Sequence, residues 1–332
     1  MNNSEGNAAV PRYLDNERFH QMFKLPPNAC RQADFNVTYA DFGHRTDEHV
    51  LLFCGPLMGS RFLLTTKDKL AQQHGVLTVW LKIVEALLQH LAIRHVVVLG
   101  YSGGSIYVMN VLLYLRYLLH PTRPYVALCA PWVHPSHSGV LTLKLDGLLP
   151  NSLVGRFNQL LQFVGTMDSA FYYREILAEL VPSLGRRSNP VATGADLDAV
   201  ALEESLASEI FRRITYEDVR GIGQDALLLL KRDEYPGCWG TWVNYDKLVL
   251  LLAQAEMEQH TILPLRVHVF FVESDMMIGT TASSAWLNNC WRSKQRGKAI
   301  DYSIVTIPKT THNNILDLRY GVMERIFREI TD

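Results

Sequence analysis

A serine hydroxyl attacks an acyl carbon only where it is held exposed, loses its proton to a base and has its developing anion stabilised. Ser102 lies in Gly100-Tyr101-Ser102-Gly103-Gly104, between the apolar run Val96–Leu99 and the apolar segment Ile106–Leu113. The run before it is β-branched and reads as a strand buried on both faces; the segment after it reads as a helix. Strand, sharp turn and helix present the serine at the edge of a sheet. The flanking glycines remove Cβ atoms that would meet the neighbouring strand and helix, and the first N–H groups of the helix point where an anion would form. The same chemistry needs an imidazole and a carboxylate that holds it in one tautomer. Asp275 and Glu273 follow the strand-like run Arg266–Val272, and His312 follows the run Ser303–Ile307.

The chain has 332 residues, enough for one large domain or a domain with an inserted lid. Hydrophobic residues make up 48% and charged residues 20%, a well-cored globular composition. With a net charge of −1 and no basic block, nothing steers it toward nucleic acid or anionic lipid. Cys30, Cys54, Cys129, Cys238 and Cys290 are odd in number and lack metal-ligand spacing; they read as reduced thiols of a cytoplasmic protein. Met1–Gly6 is polar, without the apolar centre of a signal peptide, and the apolar stretch Ile106–Leu119 is too short to span a bilayer. No stable membrane insertion is expected. Gly221-Ile222-Gly223 lacks a preceding strand, and His134-Pro135-Ser136-His137 lacks a third ligand nearby, so neither cofactor nor metal is expected.

The elements that must position these residues follow from hydrophobic periodicity. Glu17–Phe23 reads as a short surface helix, and Phe35–Asp41 alternates with period two as a half-exposed strand. His49–Cys54 is a second strand, followed by the loop Gly55-Pro56-Leu57-Met58-Gly59. Phe62–His74 reads as a helix and leads through Val76–Val79 directly into another, Trp80–Leu88. Tyr125–Ala130 is the next buried strand, and strand character then vanishes until Arg266. Helical patterns fill the interval at Leu148–Val164, Ser169–Leu180, Asp196–Ile214, Gln224–Arg232 and Trp242–Gln259, with many aromatic residues. A helix at Ala282–Arg292, the strand Ser303–Ile307 and an amphipathic helix over Ile315–Ile330 close the chain. Strands separated by helices predict a mostly parallel, doubly wound α/β sheet.

The turn at Ser102, with its strand and helix, resembles the nucleophile elbow of the α/β-hydrolase superfamily. The resemblance covers about residues 35–330 and implies a capped serine hydrolase, esterase- or lipase-like. In that family nucleophile, acid and base follow in the order Ser, Asp or Glu, His, each just past a strand. It therefore implies a catalytic triad of Ser102, Asp275 and His312, with Glu273 the rival acid. Gly103 is the expected first oxyanion donor. The family loop corresponding to 54–59 commonly reads His-Gly-x-Pro-Gly; here Cys54 replaces the histidine, and Pro56 has no N–H, which leaves Leu57 or Met58 as the second donor. The implied layout is an N-terminal extension at 1–34, a hydrolase core at 35–132 and 263–332, and a helical cap domain inserted at 133–262. An aromatic, leucine-rich cap implies a small apolar ester-like substrate.

The chain departs from the family between Phe62 and Val79. A strand and a loop with an Asp-Arg-x-Gly-x-Gly-x-Ser-like signature are expected there, and Val76–Val79 supplies at most a stub. A loss of roughly 20–25 residues is indicated, because crossovers this short are hard to build. This departure and Pro56 raise an alternative, a catalytically impaired binding or scaffold protein on the hydrolase fold. The sequence does not indicate an oligomeric state.

Overall fold

Strands that are apolar on both faces need cover on both sides, and the connections between them supply it. The structure is a computed structural model that describes residues 13–25, 34–43, 49–55, 76–80, 84–140, 151, 191–192, 195–216, 226–227, 229–231, 245–258 and 263–331. Its strands are β1 (Gln21–Leu25), β2 (Phe35–Tyr39), β3 (Asp41–Phe42), β4 (His49–Cys54), β5 (Val76–Trp80), β6 (Val97–Tyr101), β7 (Tyr125–Cys129), β8 (Leu265–Ser274) and β9 (Ile300–Thr311). Helices are α1 (Val84–His90), α2 (Gly104–Tyr114), α3 (Pro135–Ser138), α4 (Leu197–Tyr216), α5 (Tyr245–Glu258), α6 (Thr281–Cys290), α7 (Ser293–Arg296) and α8 (Val322–Thr331).

Among the described residues, seven strands form one sheet in the order β3-β5-β4-β6-β7-β8-β9. Of the strand pairs described in that sheet, β3–β5 is antiparallel and the others are parallel. Alternate residues feed two cores. Val50, Leu52, Val98, Val126, Leu128 and Val267 pack with Leu87 of α1, Met109 and Leu112 of α2, and Leu248 and Leu252 of α5. Leu51, Phe53, Leu99, Ala127, Phe270 and Val272 pack with Leu206 and Ile210 of α4, and Ile326 and Phe327 of α8. The doubly wound α/β architecture expected from the sequence is the one observed.

Several local expectations need correction. Glu17–Phe23 is not a helix: a 3₁₀ turn at Glu17–His20 runs into β1, which pairs antiparallel with β2. Phe19 and Leu14 are buried in the second core, so part of the 1–34 extension belongs to the folded unit. Phe35–Asp41 is not one strand; it divides at Ala40 into β2 of the hairpin and β3 of the main sheet. Val76–Trp80 is more than a stub. Its backbone runs parallel to β4 over His49–Phe53 and antiparallel to β3, so the strand thought lost is in the sheet. The expected helix over Ile315–Ile330 is broken by Gly321 at φ +69°, and only Val322–Thr331 is α-helical.

The expected helices at Phe62–His74, Leu148–Val164 and Ser169–Leu180 lie outside the described residues, and Gln224–Arg232 is described only in part. Within the 133–262 insertion, α4 and α5 cover opposite faces of the sheet. Among the described residues no helix is long and apolar enough to cross a membrane.

A buried ion pair ties α5 to the end of α2. Arg116, in a 3₁₀ turn after α2, donates through Nε and Nη2 to the Glu256 carboxylate, the latter at 2.9 Å, and both side chains are buried. Removing one partner strands a charge in an apolar setting. Glu256→Ala is expected to lower the unfolding free energy in urea by about 3–5 kcal/mol. The paired replacement Arg116→Met/Glu256→Leu is expected to recover most of it. A double variant as unstable as the single one would show that the stranded charge is not the cause.

Candidate active site

The sheet's register brings the ends of β6, β7, β8 and β9 to one side of the molecule, and the candidate residues stand there. Ser102 follows β6 with φ +52°, in the left-handed region that costs a non-glycine residue about 1–2 kcal/mol. Hydrogen bonds hold it there. Its N–H donates to the Cys129 carbonyl at 3.0 Å, and its own carbonyl accepts from the Ser105 hydroxyl at 2.7 Å and the Trp132 N–H at 3.1 Å. The glycines of the elbow are required by space. A Cβ at Gly104 would lie 2.0 Å from the Cys54 carbonyl oxygen, and one at Gly100 would lie 2.7 Å from Val108 Cγ2.

His312 and Asp275 complete the line. His312 Nε2 is 2.8 Å from Ser102 Oγ, and its Nδ1 is 2.8 Å from Asp275 Oδ2. A carboxylate can only accept, so Nδ1 carries the proton and Nε2 is free to receive one from the serine hydroxyl. The second oxygen, Asp275 Oδ1, accepts the N–H groups of Met277 (3.0 Å) and Ile278 (2.9 Å), while the Asp275 N–H donates to Thr280 Oγ1. This turn fixes the carboxylate's plane. Ser102, Asp275 and His312 are 4%, 7% and 3% exposed, so their mutual hydrogen bonds are little screened by water.

The other sequence candidates separate. Gly103 caps the N-terminus of α2, where N–H groups have no intrahelical acceptor. Leu57, the second expected oxyanion donor, and its rival Met58 lie outside the described residues. The rival acid Glu273 points elsewhere: its Oε2 accepts the Lys309 N–H at 2.6 Å on the exposed side of the β8–β9 pair. His134 caps α3 and its Nε2 is 3.3 Å from the Leu230 carbonyl, while His137 stacks on Trp286. His268 lies edge-on to Tyr125.

Three supporting residues were not singled out from the sequence. The Tyr101 hydroxyl donates to the His312 carbonyl at 2.7 Å and so ties the loop carrying the imidazole to the end of β6. Burial, then the charges of Asp317 and Asp275, push the Tyr101 phenol well above its ordinary pKa, so it stays a donor. Asn314 Oδ1 accepts the Thr311 N–H at 2.7 Å and closes the turn around His312. Ser105 accepts from the Trp132 N–H while donating to Ser102. Only Ser105, three places past Ser102, had a spacing that could have suggested its role. Burial pushes the Cys54 thiol up to about 12 and raises Cys129 as well, so neither is a competing thiolate.

No protein-family model matches the chain, and no curated protein matches it. Solved structures do. An enol-lactonase from Burkholderia xenovorans LB400 superposes with a TM-score of 0.55 at 11% identity, covering 93% of this chain and 100% of that one. A carboxylesterase structure from the thaumarchaeon Nitrososphaera gargenis gives 0.52 at 12% identity, covering 94% and 99%. An alpha/beta hydrolase fold protein from Chitinophaga pinensis gives 0.50 at 12% identity, covering 95% and 97%. At these identities the likeness is one of fold, and together with the strand order it establishes that the chain has the α/β-hydrolase fold.

Proposed function

We propose that the chain is a serine hydrolase that cleaves an ester or related acyl bond of a small apolar molecule. The observation that carries this reading is the unbroken line from Asp275 Oδ2 through His312 to Ser102 Oγ, with both contacts at 2.8 Å and the serine on a strained turn. Ser102 Oγ bonds to the acyl carbon as its proton passes to His312 Nε2. The imidazolium then gives that proton to the leaving alkoxide as the ester C–O bond breaks. Water repeats the sequence on the acyl-enzyme, releasing the acid and the free serine. Asp275 holds the tautomer and stabilises the imidazolium.

Gly103 N–H and Leu57 N–H are the proposed oxyanion donors, and the reaction needs no cofactor. The solved esterase and lactonase structures that share the fold support acyl chemistry at this site. The apolar substrate rests on the Phe, Tyr, Trp and Leu content of the 133–262 insertion, and we propose that the part of it outside α4 and α5 forms the cap. We place the protein in the cytoplasm on its five scattered cysteines, whose odd number and spacing read as those of reduced thiols. The strand Val76–Trp80 lies in the sheet between β3 and β4, which counts against a lost strand as an argument for an impaired binding or scaffold protein.

Turnover of p-nitrophenyl acetate and butyrate tests the assignment. Ser102→Ala and His312→Ala are each expected to lower kcat/KM by at least about 10³-fold, and Asp275→Asn by roughly 10²–10⁴-fold, with unchanged circular dichroism. An Asp275→Asn protein as fast as the wild type would exclude that residue from the line.

The second oxyanion donor has its own test, because a backbone N–H survives most substitutions but not proline. Leu57→Pro is expected to cost about 10²–10³-fold in kcat, whereas Leu57→Ala is expected to stay within a few-fold of wild type. Equal effects of the two would assign the donor elsewhere.

A further inference from the structure

At the opposite end of the sheet from Ser102, basic residues stand where four neighbouring strands begin. His49 opens β4, His95 and Arg123 lie just before β6 and β7, and Arg266 is the second residue of β8. The parallel register of these strands gathers them, with His120, around one surface cleft also lined by Tyr125 and Glu329. The His95 and His120 rings are 5.8 Å apart, and the Arg266 guanidinium lies 5.2 Å from the centre of the Tyr125 ring.

The acidic side chain lining the cleft is engaged. Arg266 Nη1 donates to Glu329 Oε2 at 3.1 Å, and Nη2 donates to the Glu329 carbonyl at 3.1 Å. Two guanidiniums against one carboxylate leave the cleft with a net positive charge. His120 is oriented by its own loop: its Nδ1 accepts the N–H groups of Thr122 (3.3 Å) and Arg123 (3.2 Å), which leaves the ring proton on Nε2 as a donor. Among the described residues no group of three or more His, Cys, Asp or Glu is placed to hold a metal ion, so the imidazoles do not form a cation site. Imidazole and guanidinium donors around one cleft suit a tetrahedral oxyanion, which accepts several N–H groups at once.

We infer that this cleft binds a dianionic tetrahedral oxyanion, either inorganic phosphate or the phosphoryl group of a small ester. The site is independent of the reaction proposed for Ser102, since the length of the strands separates the two. Burial, then Arg123, His95 and His49, lower the His120 pKa in the free protein, and Arg266 and Glu329 are the other charged groups lining the cleft. His120 therefore offers its Nε2–H as a neutral donor, and the guanidiniums of Arg123 and Arg266 supply the charge.

Sulfate is the probe, because it stays a dianion throughout the neutral range. The Ser102→Ala protein, carrying ¹³C-labelled histidine, is titrated with sodium sulfate at constant ionic strength at about pH 8, where a phosphate monoester is also a dianion. The expected result is saturable movement of the His95 and His120 signals. Arg123→Gln is expected to raise the half-saturation about tenfold. His95→Gln, at an exposed position that tolerates substitution, is expected to raise it by a smaller factor. Phosphate and glucose 6-phosphate, compared at the same pH, separate the two sources: tighter binding of the ester assigns the site to a phosphoryl group on a larger molecule, and tighter binding of phosphate assigns it to the free ion. Linear, non-saturating shifts with sulfate, or saturation unchanged by both Arg123→Gln and His95→Gln, would overturn the inference.

Discussion

The candidate site depends on how closely α2 approaches the end of β4. Gly104 sits so near the carbonyls of Cys54 and Gly55 that a methyl group there would overlap both, at 2.0 and 2.5 Å. With the helix seated this deeply, the chain cannot leave β6 gradually. It turns within one residue, and Ser102 takes the resulting positive φ. The neighbouring strand offsets the strain: the Cys129 carbonyl at the end of β7 receives the Ser102 N–H, and Trp132 returns a bond to the Ser102 carbonyl. The serine's position is therefore a property of the sheet's register.

The same register decides what faces the serine. β8 and β9 pair over nine positions, with an irregularity between Val272 and Ser274 at the end that carries Asp275. Past that irregularity, the Met277 and Ile278 N–H groups hold one carboxylate oxygen, and the other is left for His312. Tyr101 and Asn314 then fix the backbone around the imidazole from two sides. Each group in the line is oriented by backbone hydrogen bonds from a different element, which is the preorganisation that proton transfer between serine and imidazole needs. The opposite ends of the strands have another character: there the strand starts gather imidazoles and guanidiniums.

The features most legible in the sequence were those set by local chemistry. The glycines around Ser102 announced a sharp turn, and the apolar runs Val96–Leu99 and Tyr125–Ala130 announced strands covered on both sides. Asp275 and His312 could be located by the strands that precede them. What escaped was set by partners distant in sequence. Gln21–Leu25 has no strand signal of its own and is extended because it pairs with Phe35–Tyr39. Val76–Trp80 is short and flanked by helical patterns, and only its place between β3 and β4 makes it a strand. Helix α5, grouped from its position with the cap, covers the sheet because Leu248, Leu252 and the Glu256–Arg116 pair bind it to α2. Tyr101's bond to the His312 carbonyl links residues 211 positions apart, and nothing local to Tyr101 signals it.

The most direct test of the central claim is labelling of the folded protein with a fluorophosphonate probe, with the modified peptide located by mass spectrometry. Such a probe reports a serine made nucleophilic by an adjacent base. The account predicts a single adduct on Ser102, absent in Ser102→Ala and in His312→Ala. No adduct on soluble, cooperatively melting protein, or an adduct that persists in His312→Ala, would contradict it: in the first case the geometry around Ser102 would not confer reactivity, and in the second the imidazole would not be the base.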